Sequence, residues 1–82
     1  MKASEILKER GWCQGEYEND KGNVCLARSI SLGYNSPIGW LEVTGRLLRK
    51  IRIQRFSGLC EWNDVPGRTV EEVIELLESV GQ

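Results

Sequence analysis

The stretch WNDVPGRTVEEV, residues 62–73, decides how the C-terminal part of the chain folds. Thr69 and Glu72 have the spacing of a capping box, in which the threonine oxygen accepts a backbone N–H and the glutamate reaches back to the threonine N–H. Acidic residues in this first turn also favour the positive end of the helix dipole. Pro66 and Gly67 match the two central positions of a type II turn, where glycine supplies the positive φ. The stretch therefore predicts a turn followed by a helix.

The other residues of this stretch have a structural and a functional interpretation. Asp64 and Arg68 flank the turn and are placed to pair across it, while Trp62 is expected to pack because it carries a large apolar area. Under the functional interpretation, Asn63 and Asp64 present polar groups beside an exposed helix N-terminus, a place that favours anions. The structural interpretation accounts for nearly every residue and is preferred.

Hydrophobic spacing predicts a mainly α fold, a compact four-helix domain spanning residues 1–82. The predicted helices cover about residues 3–10, 24–33, 37–51 and 70–80. Gly11 is the expected end of the first helix, and Asn23 is the expected N-cap of the second. Ser36 and Pro37 fit the N-cap and the first helical position of the third helix.

Two segments and two glycines interrupt this helical pattern. Residues 12–22 are polar and contain glycine, which predicts an irregular segment or a short β-hairpin. Residues 51–56 alternate apolar and polar side chains, which predicts a short extended piece after the third helix. Gly39 and Gly45 weaken the third helix, each by roughly 0.8–1 kcal/mol relative to alanine.

Composition narrows the classes of function. With 11 basic and 12 acidic side chains, the net charge of −1 gives no global field that points to nucleic acid or membrane. No apolar run approaches the roughly 18–20 residues that cross a bilayer, and the N-terminal residues lack the apolar region of a signal peptide. Three cysteines without paired spacing predict free thiols in a reducing compartment. A cytoplasmic protein is expected.

The chemistry-bearing residues do not predict an enzyme. The chain has no histidine, which removes the usual base of Ser-His-Asp and Cys-His catalysis. The cysteines lack zinc-site spacing and no glycine run forms a nucleotide loop, so neither a metal nor a cofactor is predicted. Cys25 lies near a helix N-terminus, which favours a lowered thiol pKa. A thiol-dependent enzyme or small-ligand binder around Cys25 stays an alternative to its preferred role as a buried small hydrophobe.

The opening stretch also resembles the C-terminal signature of a family of small uncharacterised proteins from actinobacteria and their phages. That signature reads W-N-D-x-P-G-R-T-x-x-E-V-x-x-L-L, and the N-terminal segment ILKERGWCQG agrees with the same family. The resemblance implies an origin and a fold, with no assigned reaction. The positions that carry it, expected to be mostly structural, are Gly11, Trp12, Gln14, Gly15, Gly22, Cys25, Trp62, Asn63, Asp64, Pro66, Gly67, Arg68, Thr69, Glu72 and Val73.

The basic run in residues 46–55 is the strongest remaining signal for function. Five of the eleven basic residues lie there: Arg46, Arg49, Lys50, Arg52 and Arg55. One interpretation is a solvated helix face whose charges are balanced elsewhere, for example by the carboxylates of the last helix. The other is an acidic partner, either a protein or a nucleic acid.

These observations together predict a small non-enzymatic phage- or prophage-type protein that binds a host or viral macromolecule, with a protein preferred. A nucleic-acid-binding regulator that uses residues 46–55 is the alternative, although known readers carry a more strongly basic face. No membrane partner is predicted. Homodimerisation is compatible with so small a core, which gains from a shared apolar face. Tyr34, Trp40 and Phe56 are the candidate interface anchors.

Overall fold

Five helices form among the residues that a computed structural model of the protein describes, 2–34, 37–55 and 57–82. They are α1 (Ala3–Arg10), α2 (Leu26–Gly33), α3 (Pro37–Ile51), α4 (Gly58–Asn63) and α5 (Val70–Glu78). The prediction of a mainly α fold is confirmed, and each of the four predicted helices is present. Helix α4 has no counterpart in the sequence prediction, because its six residues are too few to show helical periodicity. Helix α3 begins at Pro37 as predicted, whereas Ser36 lies outside the described residues.

The entry into α5 follows the chemistry of the opening stretch. The N–H of Arg68 donates to the carbonyl of Val65 at 3.0 Å, and Gly67 has a φ of 85°, so the predicted turn is confirmed. The N–H of Glu72 donates to Thr69 Oγ1 at 3.2 Å, and the N–H of Thr69 donates to Glu72 Oε1 at 2.9 Å. The capping box is therefore complete and closes the first turn of the helix.

The start of α2 differs from the prediction. The helix begins at Leu26, and its N-cap is Cys25, whose Sγ accepts from the N–H of Arg28 at 3.5 Å. The prediction of Asn23 as N-cap is wrong. The reason is that Val24 is fully buried and forms a backbone bridge to the loop, so the helix cannot begin until that pairing ends.

The segment between α1 and α2 is irregular, which is one of the two alternatives predicted for residues 12–22. Among the described residues, this segment forms two isolated β-bridges, Trp12 with Val24 and Glu18 with Val24. These do not form a ladder, so a hairpin is not confirmed. The Oδ1 of Asn19 accepts from the N–H groups of Lys21 and Asn23, which closes a local turn.

The chain turns sharply after α3 instead of extending. Arg52 follows the last helical residue with a φ of 60°, and the N–H of Ile53 donates to the carbonyl of Leu48 at 3.1 Å. This is the hydrogen bond of a Schellman motif, which ends a helix by folding the chain back on its last turn. The prediction of an extended piece is wrong for Ile51 and Arg52, residues 53–55 form no strand, and Phe56 lies outside the described residues.

Helix α2 occupies the centre of the fold and packs against α1, α3 and α4. The predicted apolar stripe of α3 faces this core, with Leu47 and Thr44 buried and Leu48 partly buried. The radius of gyration is 11.4 Å, close to the roughly 11.7 Å of a folded chain of this length. None of the described helices combines the length and apolarity needed to span a bilayer. The largest fully buried apolar side chains are Leu7, Val24, Leu26, Ile30, Leu47, Leu59, Val73 and Leu77.

The hydroxyl of Thr44 is a weak point of this core. Its Oγ1 is buried and hydrogen-bonds to none of the described residues, which leaves a polar group without compensation. We expect Thr44→Val to raise stability by about 1 kcal/mol, because it removes the hydroxyl and keeps the branched shape. The thermal midpoint would then rise by about 4–8 °C.

Thr69→Val is the matched control for Thr44→Val, measured by the same thermal unfolding. The hydroxyl of Thr69 accepts the capping hydrogen bond of α5, so the same substitution should here lower stability by about 1 kcal/mol. A destabilised Thr44→Val protein would contradict the assignment of an uncompensated hydroxyl.

Candidate functional site

A buried asparagine at the end of α4 joins three separate parts of the chain. Asn63 is 0% exposed, and its Oδ1 accepts from Trp12 Nε1 at 2.6 Å and from the N–H of Leu26 at 3.0 Å. Its Nδ2 donates to the carbonyl of Cys13 at 3.1 Å and to Asp64 Oδ1 at 3.0 Å. An asparagine amide has two donors and two acceptor sites, so its hydrogen-bonding capacity is filled.

Gln14 and Gly15 extend this contact between the two halves of the family signature. Gln14 Nε2 donates to the carbonyls of Asn63 at 2.9 Å and Val65 at 3.0 Å. The N–H of Gly15 donates to Asp64 Oδ1 at 3.0 Å. The polar groups of Asn63 and Asp64 are thus used within the fold, and the interpretation that Asn63 presents a free polar group to an anion is wrong because the residue is buried.

The side chain of Arg68 supports the turn before α5. Its guanidinium lies 3.8 Å from the centre of the Trp62 ring, and its Nε donates to the Trp62 carbonyl at 3.0 Å. Its Nη1 pairs with Glu72 at 3.2 Å. The predicted pairing of Asp64 with Arg68 is wrong, because each side chain takes other partners. The packing predicted for Trp62 is confirmed.

The three cysteines are free thiols. Burial, the largest cause, raises the pKa of the Cys25 thiol. Burial also raises the pKa of Cys13, with the Glu16 carboxylate adding to the effect. The lowered pKa expected for Cys25 is therefore wrong, since burial outweighs the helix N-terminus. Its role as a buried small hydrophobe is confirmed.

A cavity of about 250 Å³ brings two of these thiols to one place. Its lining includes Cys25, Cys60 and Asp64, with Glu16 and Tyr17 at the side of the loop. A neutral thiol is a poor nucleophile, and burial favours the neutral form of Cys25. Within the part of the chain that the structure describes, no three Cys, Asp or Glu side chains are grouped as metal ligands.

The outward side of α3 presents apolar and basic side chains together. Ile38 is 76% exposed and Leu41 is 46% exposed. Ile38, Gly45 and Arg49 follow one another at i, i+7 and i+11, so they lie along one line of the helix surface. We call this surface the α3 face, and it comprises Ile38, Leu41, Glu42, Gly45, Arg46, Arg49 and Lys50, with Arg52 directly after the helix.

The structure divides the five basic residues of the predicted run into two groups. Arg55 pairs with Glu61 through two hydrogen bonds of 2.7 and 2.6 Å, and this contact is the main reason that the pKa of Glu61 is lowered. The other four are exposed and form no ion pair with any residue that the structure describes: Arg46, Arg49, Lys50 and Arg52.

In the described ion pairs, the carboxylates of α5 contact bases outside α3. Glu78 pairs with Lys8 at 3.5 Å, and Glu72 pairs with Arg68. Among the described residues, no ion pair joins the last helix to the basic run, and the interpretation that its carboxylates balance the run stays a prediction. The α3 face keeps its positive charge.

Two of the predicted anchors are not free surface residues. Tyr34 and Trp40 are partly buried against the core, and Phe56 lies outside the described residues. The exposed apolar side chains of α3 are instead Ile38 and Leu41, which the sequence prediction missed. A signal was present for Ile38, because it falls outside the apolar stripe that positions this helix on the core, whereas Leu41 lies at the edge of that stripe.

Comparison with protein-family models identifies the family of this chain. The model of a protein family described as a family of unknown function (DUF6197) matches residues 1–82. The chain belongs to this family. The predicted resemblance to an uncharacterised family is thereby confirmed. No curated protein and no solved structure matches the chain.

Removing the Asn63 amide tests its role in this member of the family. Asn63→Ala leaves the N–H groups of Leu26 and Trp12 without their acceptor, and each uncompensated donor costs about 1–3 kcal/mol. We therefore expect a loss of about 2–6 kcal/mol, measured by urea unfolding. Asn19→Ala is the control, since its turn is close to water and should lose less than about 1 kcal/mol. Equal losses in the two variants would contradict the role of Asn63.

The capping box should make stability depend on pH. The N–H of Thr69, the largest cause, lowers the pKa of Glu72 below its ordinary 4.5. Ionised Glu72 therefore stabilises the fold above pH 4.5, and that contribution is lost as the pH falls through the lowered value. Glu72→Gln keeps the capping geometry and should be less stable than the parent protein at neutral pH. The difference should vanish in acid.

Thermal midpoints measured across this pH range check the prediction for Glu72. Glu71→Gln is the control, because it removes the same charge from the same turn without a hydrogen bond to Thr69. A difference between Glu72→Gln and the parent protein that grows in acid would have the wrong sign and would exclude the mechanism.

Proposed function

We propose that the protein is a small non-enzymatic, phage- or prophage-type protein that binds a host or viral protein through the α3 face. The observation that carries the proposal is the combination of exposed apolar side chains and uncompensated positive charges on one helix. Single exposed apolar residues are common and need no explanation. Ile38 and Leu41 differ because the same helix and the turn after it also present four exposed bases that form no ion pair with the described residues.

A protein partner would use both parts of this surface. Covering Ile38 removes a mostly exposed side chain from water, which stabilises a complex by about 1.5–3 kcal/mol. The bases would attract a partner with acidic side chains and speed its association. The charge of the α3 face is local, because the whole chain has a net charge of −1.

The lack of histidine and the state of the cysteine thiols favour binding over catalysis. The chain has no histidine, and the pKa values of Cys13 and Cys25 are raised. A thiol enzyme would need a thiol whose pKa is lowered. The cavity that contains Cys25 and Cys60 therefore supports a thiol-dependent reaction less than the α3 face supports binding.

Nucleic acid is the second candidate partner. Arg46, Arg49 and Lys50 are exposed on one side of α3, and such bases are suited to phosphate contacts. Glu42 and the apolar Ile38 share that side, and neither contributes to binding a phosphate backbone. These two residues favour a protein.

The source and location belong to the same proposal. The resemblance to proteins of actinobacteria and their phages supports a phage or prophage origin, and the free thiols suit a reducing cytoplasm. A second copy of the chain is an alternative occupant of the α3 face, and the homodimer would bury Ile38 and Leu41.

Affinity capture from an actinobacterial lysate tests the proposed function. The tagged protein should retain a specific protein after nuclease treatment, and Ile38→Ser with Leu41→Ser should abolish the retention. Arg49→Glu with Lys50→Glu should also abolish it, because it reverses the charge of the face. The control is Lys2→Glu with Lys21→Glu, which changes the net charge equally at residues outside α3.

The outcomes separate the candidate partners. Retention that disappears with nuclease and survives the two serine substitutions would support nucleic acid and reject the protein partner. Retention of the tagged chain's own copies alone, with a doubled mass in sedimentation, would support the homodimer. Retention unchanged in both α3 variants would reject the α3 face.

A further inference from the structure

A groove lies where the α3 face meets the turn after the helix. It has a volume of about 390 Å³ and is lined by Gly45, Leu48, Arg49, Arg52, Ile53 and Gln54. This is within the range of roughly 300–1,000 Å³ that ligand sites occupy. We propose that this groove, called the α3 groove, binds an acidic amphipathic polypeptide segment. One large apolar side chain of that segment lies against Leu48 and Ile53, and its carboxylates lie against Arg49 and Arg52.

Gly45 is the first of two residues in the groove where a different residue type would make the fold more stable. It lies inside α3, where alanine would stabilise the helix. A Cβ added to Gly45 would meet no atom within 4 Å, so alanine would fit. Gly58 is the opposite case, because a Cβ there would overlap the side chain of Ile53. Packing explains Gly58, whereas the missing side chain of Gly45 serves to keep the groove open.

Arg52 is the second such residue. Its φ of 60° lies in the left-handed region, at the position of the Schellman motif that favours glycine. A non-glycine residue there is strained, and such strain is concentrated at functional sites. The groove thus has a glycine where a side chain would stabilise the helix and an arginine where glycine would relieve strain.

The turn at Arg52 also builds the apolar wall. The hydrogen bond from Ile53 to the Leu48 carbonyl brings the two side chains to the same end of α3. Leu48 and Ile53 are both half-buried, so part of each side chain is exposed. An apolar side chain of a partner can therefore be covered on two sides.

The charge of the groove selects carboxylates. Arg49 and Arg52 are at its rim, Arg46 and Lys50 lie on the adjoining helix surface, and all four lack ion pairs with the described residues. Their charges exceed the roughly half negative charge at the C-terminal end of a helix. Glu42, one turn before Gly45, is the acidic residue on the same face, and it disfavours a chain of phosphates.

This inference rests on the proposed function, and a defined peptide tests it. The probe is a 14-residue helical peptide with blocked ends, a central leucine and glutamates one turn to either side. Titration into ¹⁵N-labelled protein should shift the amide signals of Gly45, Leu48, Arg49 and Ile53. Replacing the central leucine by alanine should weaken binding by about tenfold or more. A peptide with lysine in place of glutamate should not bind.

Variants of the protein locate the site. Gly45→Leu fills the groove and should weaken binding by about tenfold or more, while Gly45→Ala should keep the fold and raise its thermal midpoint by about 4 °C. Arg52→Gly should also raise the midpoint, and it should weaken binding. Lys2→Glu with Lys21→Glu is the control and should bind within about twofold of the parent protein.

Several results would overturn the α3 groove. Shifts that avoid the groove, equal binding of the lysine peptide, or undiminished binding by Gly45→Leu would each do so. A dT12 oligonucleotide that shifts the same amides more strongly than the acidic peptide would assign the groove to nucleic acid. Failure of the peptide, together with protein capture that depends on Ile38 and Arg49, would reject the groove and leave the proposed function standing.

Discussion

The side-chain amide of Asn63, with all its hydrogen bonds made, fixes the path of the loop between α1 and α2, which has few buried apolar side chains to hold it. The loop from Gly11 to Cys25 contributes little to the core apart from Val24 and the N-cap cysteine. Asn63 holds this loop by accepting from Trp12 Nε1 and donating to the Cys13 carbonyl, while the N–H of Leu26 and Asp64 Oδ1 bind the rest of the amide. Aspartate could supply the acceptors, but its second oxygen would then face the Cys13 carbonyl and the Asp64 carboxylate. The amide therefore serves as a polar core for a domain whose apolar core is small.

The family signature and the proposed binding surface use different residues. Trp12, Gln14 and Gly15 contact Asn63 and Asp64, so the contacts of the signature are explained by folding. The residues of the α3 face belong to no part of that signature. Arg68 and Glu72 likewise act within the turn and the capping box. The fold can therefore be explained separately from the α3 face, where we propose that a partner binds.

The sequence predicted best where all partners lie close together in the chain. Thr69 and Glu72 are three residues apart, so their spacing alone indicated the capping box. Asn23 failed as an N-cap because a long-range bridge at Val24 delays the start of α2. The role of Asn63 could not be predicted, because three of its four partners lie 37 to 51 residues away. The exposed Ile38 was predictable in principle, since its position outside the apolar stripe is a local property.

The distance along the chain between Asn63 and its partners has a consequence for folding speed. Small helical proteins fold rapidly because most of their contacts are local. The entropy of loop closure grows with the logarithm of loop length, so joining residues about 50 apart costs about 1.4 kcal/mol more than joining residues about 10 apart. The hydrogen bond of Asn63 with Trp12 spans 51 residues. We infer that α2 packs against α4 before this hydrogen bond forms, so that the loop between α1 and α2 closes late in folding.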